Sequence, residues 1–269
     1  GITQINILIG TIIASFEAGA VSYLYYADRI YQINLAIAGI AVGTVSLPAL
    51  SKAFKNRNIK KLSNIQSKSF ELSLLLSIPA SLGLILASEE IVNSLFGYGS
   101  FSENDVKLTA DALKYFGYGV PAFALVKILS NFFFARDNTK TPLYISIFMV
   151  IINISISVSL FASYGFIIIP IATSISTWIG VLIYIYLLNE KNSLLLNKKL
   201  IPNFIKILAS TIIMSIIMVL LINNYESYLN YSYKFKAIYL LSIVGFVGIV
   251  YLLSCYLFGI LKLKNYKTN

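Results

Sequence analysis

The sequence has 269 residues, 58% of them apolar or aromatic and 12% charged, with a mean hydropathy of +0.79. Soluble domains carry about a quarter charged residues, so this composition excludes a soluble enzyme, a disordered chain and a secreted disulfide scaffold, and leaves a polytopic membrane protein. The net charge of +10 lies in short runs between long apolar stretches, the pattern of a membrane protein meeting anionic headgroups rather than of a nucleic-acid-binding face.

A bilayer span needs about 20 apolar residues. Such runs lie near 2–16, 30–50, 70–96, 112–134, 142–163, 165–189, 203–223 and 236–261. They are continuous rather than alternating, so they predict helices and not barrel strands. The fold expected is all-α and polytopic, with about eight transmembrane helices. The first run is short and begins at Gly1 without an initiator methionine or a cleavable leader, and so reads as the C-terminal part of a longer chain.

Between the third and fourth runs, the polar and acidic segment 98–111 predicts a short surface helix with Ser102 as its N-cap. The run from Arg136 to Pro142 predicts a tight turn, Pro142 suiting the first turn of the next helix. Residues 190–202 form the longest polar linker of the second half. They divide a six-helix lobe over 1–189 from a two-helix unit with a short tail over 203–269.

Orientation follows from lysine and arginine. If the first helix starts in the cytoplasm, the inner segments hold 15 of the 21 basic residues, among them Lys52, Lys55, Arg57, Lys60, Lys61, Lys198, Lys262, Lys264 and Lys267. The outer segments hold Arg29, Lys107, Lys114, Lys234 and Lys236 together with most of the acids. Both termini are therefore expected in the cytoplasm.

Polar groups within a bilayer are costly and hence informative. Arg29, Gln32, Ala36, Gly39, Gly43 and Ser46 recur at spacings of three and four, predicting one helix face. That face describes either a close helix seam with Arg29 snorkelling to the outer headgroups, or a wall of a hydrated cavity offering a fork-shaped cation to an anionic group. Asp28 lies about 100° away around the helix and is expected to meet solvent or headgroups. Lys127 stands in mid-span with no acid in its run. It either snorkels inward or meets an anionic substrate in a cavity.

Thr3, Asn6, Gly10 and Ala14 make a small and polar stripe, and Asn153 with Ser157 and Thr173 with Thr177 add hydroxyls and amides one turn apart. Such groups serve mainly to join helices. Asn153 with Thr173 is the candidate for ion binding that the chain offers, although a cation site prefers carboxylates. There is no phosphate loop, no GxGxxG after a strand and no paired-carboxylate motif, so no cofactor, metal or enzymatic activity is expected.

The run Ser22-Tyr23-Leu24-Tyr25-Tyr26-Ala27-Asp28-Arg29, followed by Gly43-Thr44-Val45-Ser46-Leu47-Pro48-Ala49-Leu50-Ser51, resembles the second-lobe signature of the MurJ/MviN lipid II flippases. Phe96-Gly97-Tyr98-Gly99 with Phe101, and Phe133-Phe134-Ala135-Arg136-Asp137-Asn138-Thr139-Lys140-Thr141-Pro142, extend the likeness over nearly the whole chain, as helices seven to fourteen of a fourteen-helix fold. The resemblance implies a multi-pass transporter of the bacterial inner membrane, in the multidrug/oligosaccharidyl-lipid/polysaccharide exporter superfamily. It would flip lipid-linked peptidoglycan precursor, a polyprenyl diphosphate glycopeptide, to the outer leaflet for cell-wall synthesis.

Arg29 then falls on a cationic cavity for the diphosphate, with Gln32, Tyr26 and Lys127 as further substrate contacts. The last two helices would take the lipid tail. The implied partners are membrane lipids, an N-terminal six-helix lobe with its own arginines, and cell-wall synthesis enzymes, with no nucleic acid. Gln32 stands where some relatives carry an acid, as do Gly10 and Ser157, which weakens the case for a bound sodium ion. The alternatives are another exporter of the same superfamily, for a lipid-linked polysaccharide or a drug, and a non-transporting scaffold for cell-wall enzymes.

Overall fold

No water reaches the hydrocarbon layer to take a backbone N–H or C=O, so an apolar run of this length has to satisfy its backbone internally. The computed structural model describes residues 2–261, with side chains from Asn6 onward; the Thr3 side chain and Lys262, Lys264 and Lys267 lie outside the described residues. Among the described residues there is helix and no strand. The helices are α1 Ile2–Ala14, α2 Ala20–Leu35, α3 Val42–Lys55, α4 Ile59–Leu86, α5 Ser88–Phe96 and α6 Glu103–Phe134, followed by α7 Lys140–Tyr164, α8 Ile168–Glu190, α9 Leu200–Asn224, α10 Glu226–Leu229 and α11 Lys236–Leu257.

Six continuous helical stretches have the length and hydropathy to cross a membrane, α7 and α8 forming one stretch through the 3-10 turn Gly165–Ile167. Three boundaries differ from expectation. The run 70–96 is divided at Ala87 between the end of α4, which starts at Ile59, and the separate α5. The second span begins at Ala20 rather than near residue 30, because its tyrosine-rich first turns are helical as well. The acidic segment after Ser102 is the first part of the 32-residue α6 and not a separate surface helix. Ser102 caps it as expected, its hydroxyl accepting from the Asp105 N–H at 3.2 Å while Asp105 accepts from the Ser102 N–H at 2.7 Å.

α6 is the centre of the bundle and packs against α2, α3, α4, α5 and α8; α7 packs on α1 and α8. α9 lies on α4, and α11 lies on α9 and α5. Prolines fix several of these contacts. Pro121 of α6 has no N–H for the Gly117 carbonyl four residues back, and Ser81 of α4 donates to that oxygen at 2.7 Å. Pro79 of α4 leaves the Leu75 carbonyl without its helical donor, and the Tyr251 hydroxyl of α11 donates to it at 2.6 Å. A helix break in one segment thus becomes a hydrogen bond to another, where lipid offers no competing donor.

The α9–α11 pair is fastened at both ends. At one end Lys236, which the sequence places among exposed outer charges, is fully buried. Its ammonium donates to Asn93 Oδ1 at 2.9 Å, Gly97 O at 2.6 Å and Tyr231 O at 2.8 Å. It also lies 4.2 Å from the Tyr98 ring centre and 4.7 Å from that of Tyr231. Neutral acceptors and ring faces replace its hydration without a carboxylate.

At the other end the strap 193–197 is pinned to α4. Gln66 donates to Ser193 O at 3.1 Å and accepts from the Leu195 N–H at 2.8 Å, and Ser67 accepts from the Asn197 N–H at 2.7 Å. Arg136 donates to Ser193 O at 2.8 Å and also to Phe132 O. Burial pushes the Arg136 guanidinium below its ordinary pKa, and these carbonyls hold its charge.

Removing the Tyr251 hydroxyl should cost about 1–2 kcal/mol in Tyr251→Phe, because the Leu75 carbonyl loses its donor. In a Pro79→Ala background the same change should cost only about a few tenths of a kcal/mol, since residue 79 then supplies the helical N–H. Equilibrium unfolding in mixed detergent measures both, and equal costs in the two backgrounds would contradict the account.

Candidate functional site

α2 and α3 form one rod interrupted by a π-helical stretch, Ala36–Ala41. A π turn holds an extra residue and rotates the helix beyond it, so the expected single stripe divides. Gly39, Gly43 and Ser46 are buried against α6, while Arg29 and Ala36 remain exposed on the other side of the rod with Ile33, Ile37 and Ile40. The seam is tight. A Cβ at Gly39 would lie 3.1 Å from the Ala124 Cα, and one at Gly43 would lie 3.0 Å from Asn131 Nδ2. Asn131 donates through that nitrogen to the Gly43 carbonyl at 2.8 Å.

Arg29 therefore stands on an open face. Its guanidinium carbon lies 4.8 Å from the Tyr25 ring centre. Among the described residues the one ion pair is Lys107–Glu103 at 3.5 Å, so Arg29 has no carboxylate partner. A stacked guanidinium keeps its donor edge free, the arrangement that suits a phosphate or carboxylate.

Asp28 is half-buried rather than turned to solvent or headgroups as expected. It lines a partly open cavity of about 290 Å³ between α1, α2, α6, α7 and α8, together with Asn6, Tyr31, Asn153 and Thr173, and the Tyr25 ring under Arg29 forms part of its rim. Gln32 donates to Asp28, so its amide holds this carboxylate. Tyr26 packs between Phe96 at 4.7 Å and Phe101 at 5.4 Å, centre to centre, fixing the rod to the α5–α6 loop. Asp28 is the residue that sequence reasoning missed. Its 100° offset from Arg29 was the signal available.

Lys127 borders a second and larger cavity, about 810 Å³, between α3, α6, α7 and α8. Thr44, Pro48, Ser130, Asn131, Thr139 and Ser146 share its wall, and no carboxylate does. Pro48 brings no N–H to the Thr44 carbonyl, so the wall also presents a backbone acceptor. Lys127 passes beside Gly39, its Cγ 3.5 Å from where a Cβ would be. Gly39 is ten residues after Arg29, about 15 Å along a helix, so the two cations, one on the rod and one on α6 beside it, stand apart rather than in one cluster.

Asn153 and Thr173 are brought together on the wall of the Asp28 cavity. Asn153 Nδ2 donates to Thr173 Oγ1 at 3.0 Å, Ser157 donates to Asn153 Oδ1 at 3.1 Å, and the Thr173 hydroxyl donates to Ile169 O at 2.8 Å. These groups largely satisfy one another. Among the described residues no three of His, Cys, Asp and Glu are grouped as a metal site would need.

Comparison with known proteins adds to this geometry. A family model described as lipid II flippase MurJ matches residues 1–241. The chain is 37% identical over 271 residues to a probable lipid II flippase MurJ of Rickettsia prowazekii, covering all of this chain and 53% of that protein. It is 35% identical to one of Rhizobium tropici, covering 94% of this chain and 47% of the relative. The chain thus spans about half the length of the curated relatives it matches.

Among solved structures, lipid II flippase MurJ in an inward closed conformation superposes with a TM-score of 0.79 at 26% identity, over 96% of this chain and 51% of that one. An outward-facing multidrug resistance MATE transporter of the MOP superfamily shares the fold, with a TM-score of 0.62 at 17% identity, over 94% of this chain and 58% of that one.

The divided rod is testable by size. Gly39→Leu should destabilise by about 1–3 kcal/mol through overpacking against α6, while Ala36→Leu on the open face stays within about 0.5 kcal/mol. Unfolding in mixed detergent reads both, and a reversed order would place the seam on the wrong side of the rod.

Proposed function

The chain belongs to the lipid II flippase MurJ family, and from that premise we propose that it forms one lobe and the appended helices of a transporter that moves a lipid-linked diphosphate glycopeptide from the cytoplasmic to the outer leaflet of the bacterial inner membrane. The single observation that carries this reading is the exposed Arg29, without a carboxylate partner among the described residues, on the open face of the α2–α3 rod. A charged group costs several kcal/mol within a bilayer. An arginine in that position without a carboxylate beside it fits a ligand of opposite charge better than a packing role.

In this reading the other, N-terminal lobe belongs to the part of the protein outside this chain and faces the rod across a hydrated cleft. The diphosphate meets Arg29 in that cleft. Lys127, bordering the larger cavity about three turns away, gives the anion a second station as the lobes rock in alternating access. The substrate's polyprenyl tail stays in lipid along α9 and α11, whose outer faces are apolar over most of their length. Both ends of the chain lie in the cytoplasm. Each negative charge carried outward gains about 2.3 kcal/mol per 100 mV of membrane potential.

Arg29→Ala in the full-length protein should lower flipping by about 10- to 100-fold, the loss of one charge-assisted contact of 1.5–3 kcal/mol. Arg29→Lys should recover part of it, because an ammonium keeps the charge but not the fork. Growth of a flippase-depleted strain and leaflet-specific labelling of the precursor provide the measurements. Full growth on Arg29→Ala would overturn the reading.

A further inference from the structure

The first turn of α4 and the strap before α9 border an open cavity of about 710 Å³, lined mostly by exposed side chains, that the transport reading does not use. Its wall carries Lys60, Lys61 and Lys198, with the amides of Asn58, Asn64 and Asn197, and no carboxylate. Two features separate it from a flat basic patch. First, the wall is fixed: the Gln66 and Ser67 bonds to the strap hold Asn197, and Lys198 after it, against α4. Second, the cavity sits at the positive end of a 28-residue helix, where Asn58 caps the Lys61 N–H at 2.9 Å.

The surroundings select among anions. Ile59 precedes Lys60 and is 67% exposed, and Ile201 follows Lys198 by three residues and is equally exposed. Both stand where the apolar helices α4 and α9 begin. A soluble anion would leave these side chains in water, whereas an amphiphile covers them with its acyl chains while its phosphate meets the lysines.

We propose that this cavity binds the phosphate of an anionic phospholipid, with Lys60, Lys61 and Lys198 around the headgroup and Ile59 and Ile201 against the chains. The site does not depend on the flippase reading. The charge-derived orientation decides only its leaflet, the cytoplasmic one.

The test uses the full-length protein containing this chain, purified in detergent and titrated with phosphatidylglycerol, phosphatidylcholine or inorganic phosphate while its melting temperature is followed. Phosphatidylglycerol should raise the midpoint, and the other two should not. A Lys60→Gln/Lys61→Gln/Lys198→Gln variant should need about a hundredfold more phosphatidylglycerol for the same shift, and Lys198→Gln alone about fivefold more. A charge-matched control, Lys52→Gln/Lys55→Gln/Lys68→Gln, should stay within about threefold of the parent. Loss of the effect in the control to the same degree would make the attraction a property of the whole basic face and overturn the site. An equal shift with inorganic phosphate, or no shift with phosphatidylglycerol, would overturn the lipid.

Discussion

At Gly43 the rod comes close enough to α6 for Asn131 to donate to its carbonyl at 2.8 Å, at a place where a methyl group would already crowd that amide. Gly39 makes the corresponding approach to Ala124 four residues earlier. Between apolar helices in lipid the hydrophobic effect gives little net attraction, so close packing and interhelical hydrogen bonds decide which faces meet. Because the small residues of the rod are committed to α6, the π turn Ala36–Ala41 leaves Arg29 on the opposite side. The direction of that guanidinium is a consequence of the glycine seam, and the proposed anion route is in turn a consequence of that direction.

The same economy governs the other junctions. Pro79 and Pro121 each withhold one backbone donor, and Tyr251 and Ser81 supply it from neighbouring helices. Lys236 closes the far end of α11 onto the α5–α6 loop by the same logic, its ammonium meeting three neutral oxygens. Tyr26 of the rod packs against Phe96 at the end of α5 and edge-on against Phe101 of that loop. A continuous set of packed groups therefore joins the helix bearing Arg29 to the pair proposed to carry the lipid tail.

Much of this was legible in the amino-acid order, and the failures have physical reasons. The apolar runs gave the helices because lipid leaves few other conformations. The second span begins earlier than the apolar run because Asp28 and Arg29 interrupt its hydropathy but not its helix, and the acidic helix after Ser102 stood apart from the span because its polarity hides its continuity with α6. The π turn has no residue signature in Ala36–Ala41, so the stripe was drawn straight through it. Lys236 was counted as an outer surface charge because the oxygens that bury it come from residues 93, 97 and 231, two of them distant in sequence. Arg29 and Lys127 stood out by charge alone. Which way each points was set by packing, and so was the inward turn of Asp28 under Gln32.

The most direct test of the central claim is a thiol scan of the rod, made simple because the chain's single cysteine, Cys255, is fully buried. Cysteine is placed singly at Arg29, Ala36, Ile40 and Thr44, and at Leu241 of α11 as an exposed apolar reference. Reaction with a hydrophilic maleimide is then followed in native membranes. The account predicts labelling at the four rod positions and none at Leu241. Rod positions as silent as Leu241 would put that face against lipid and contradict the water-filled route for the anion.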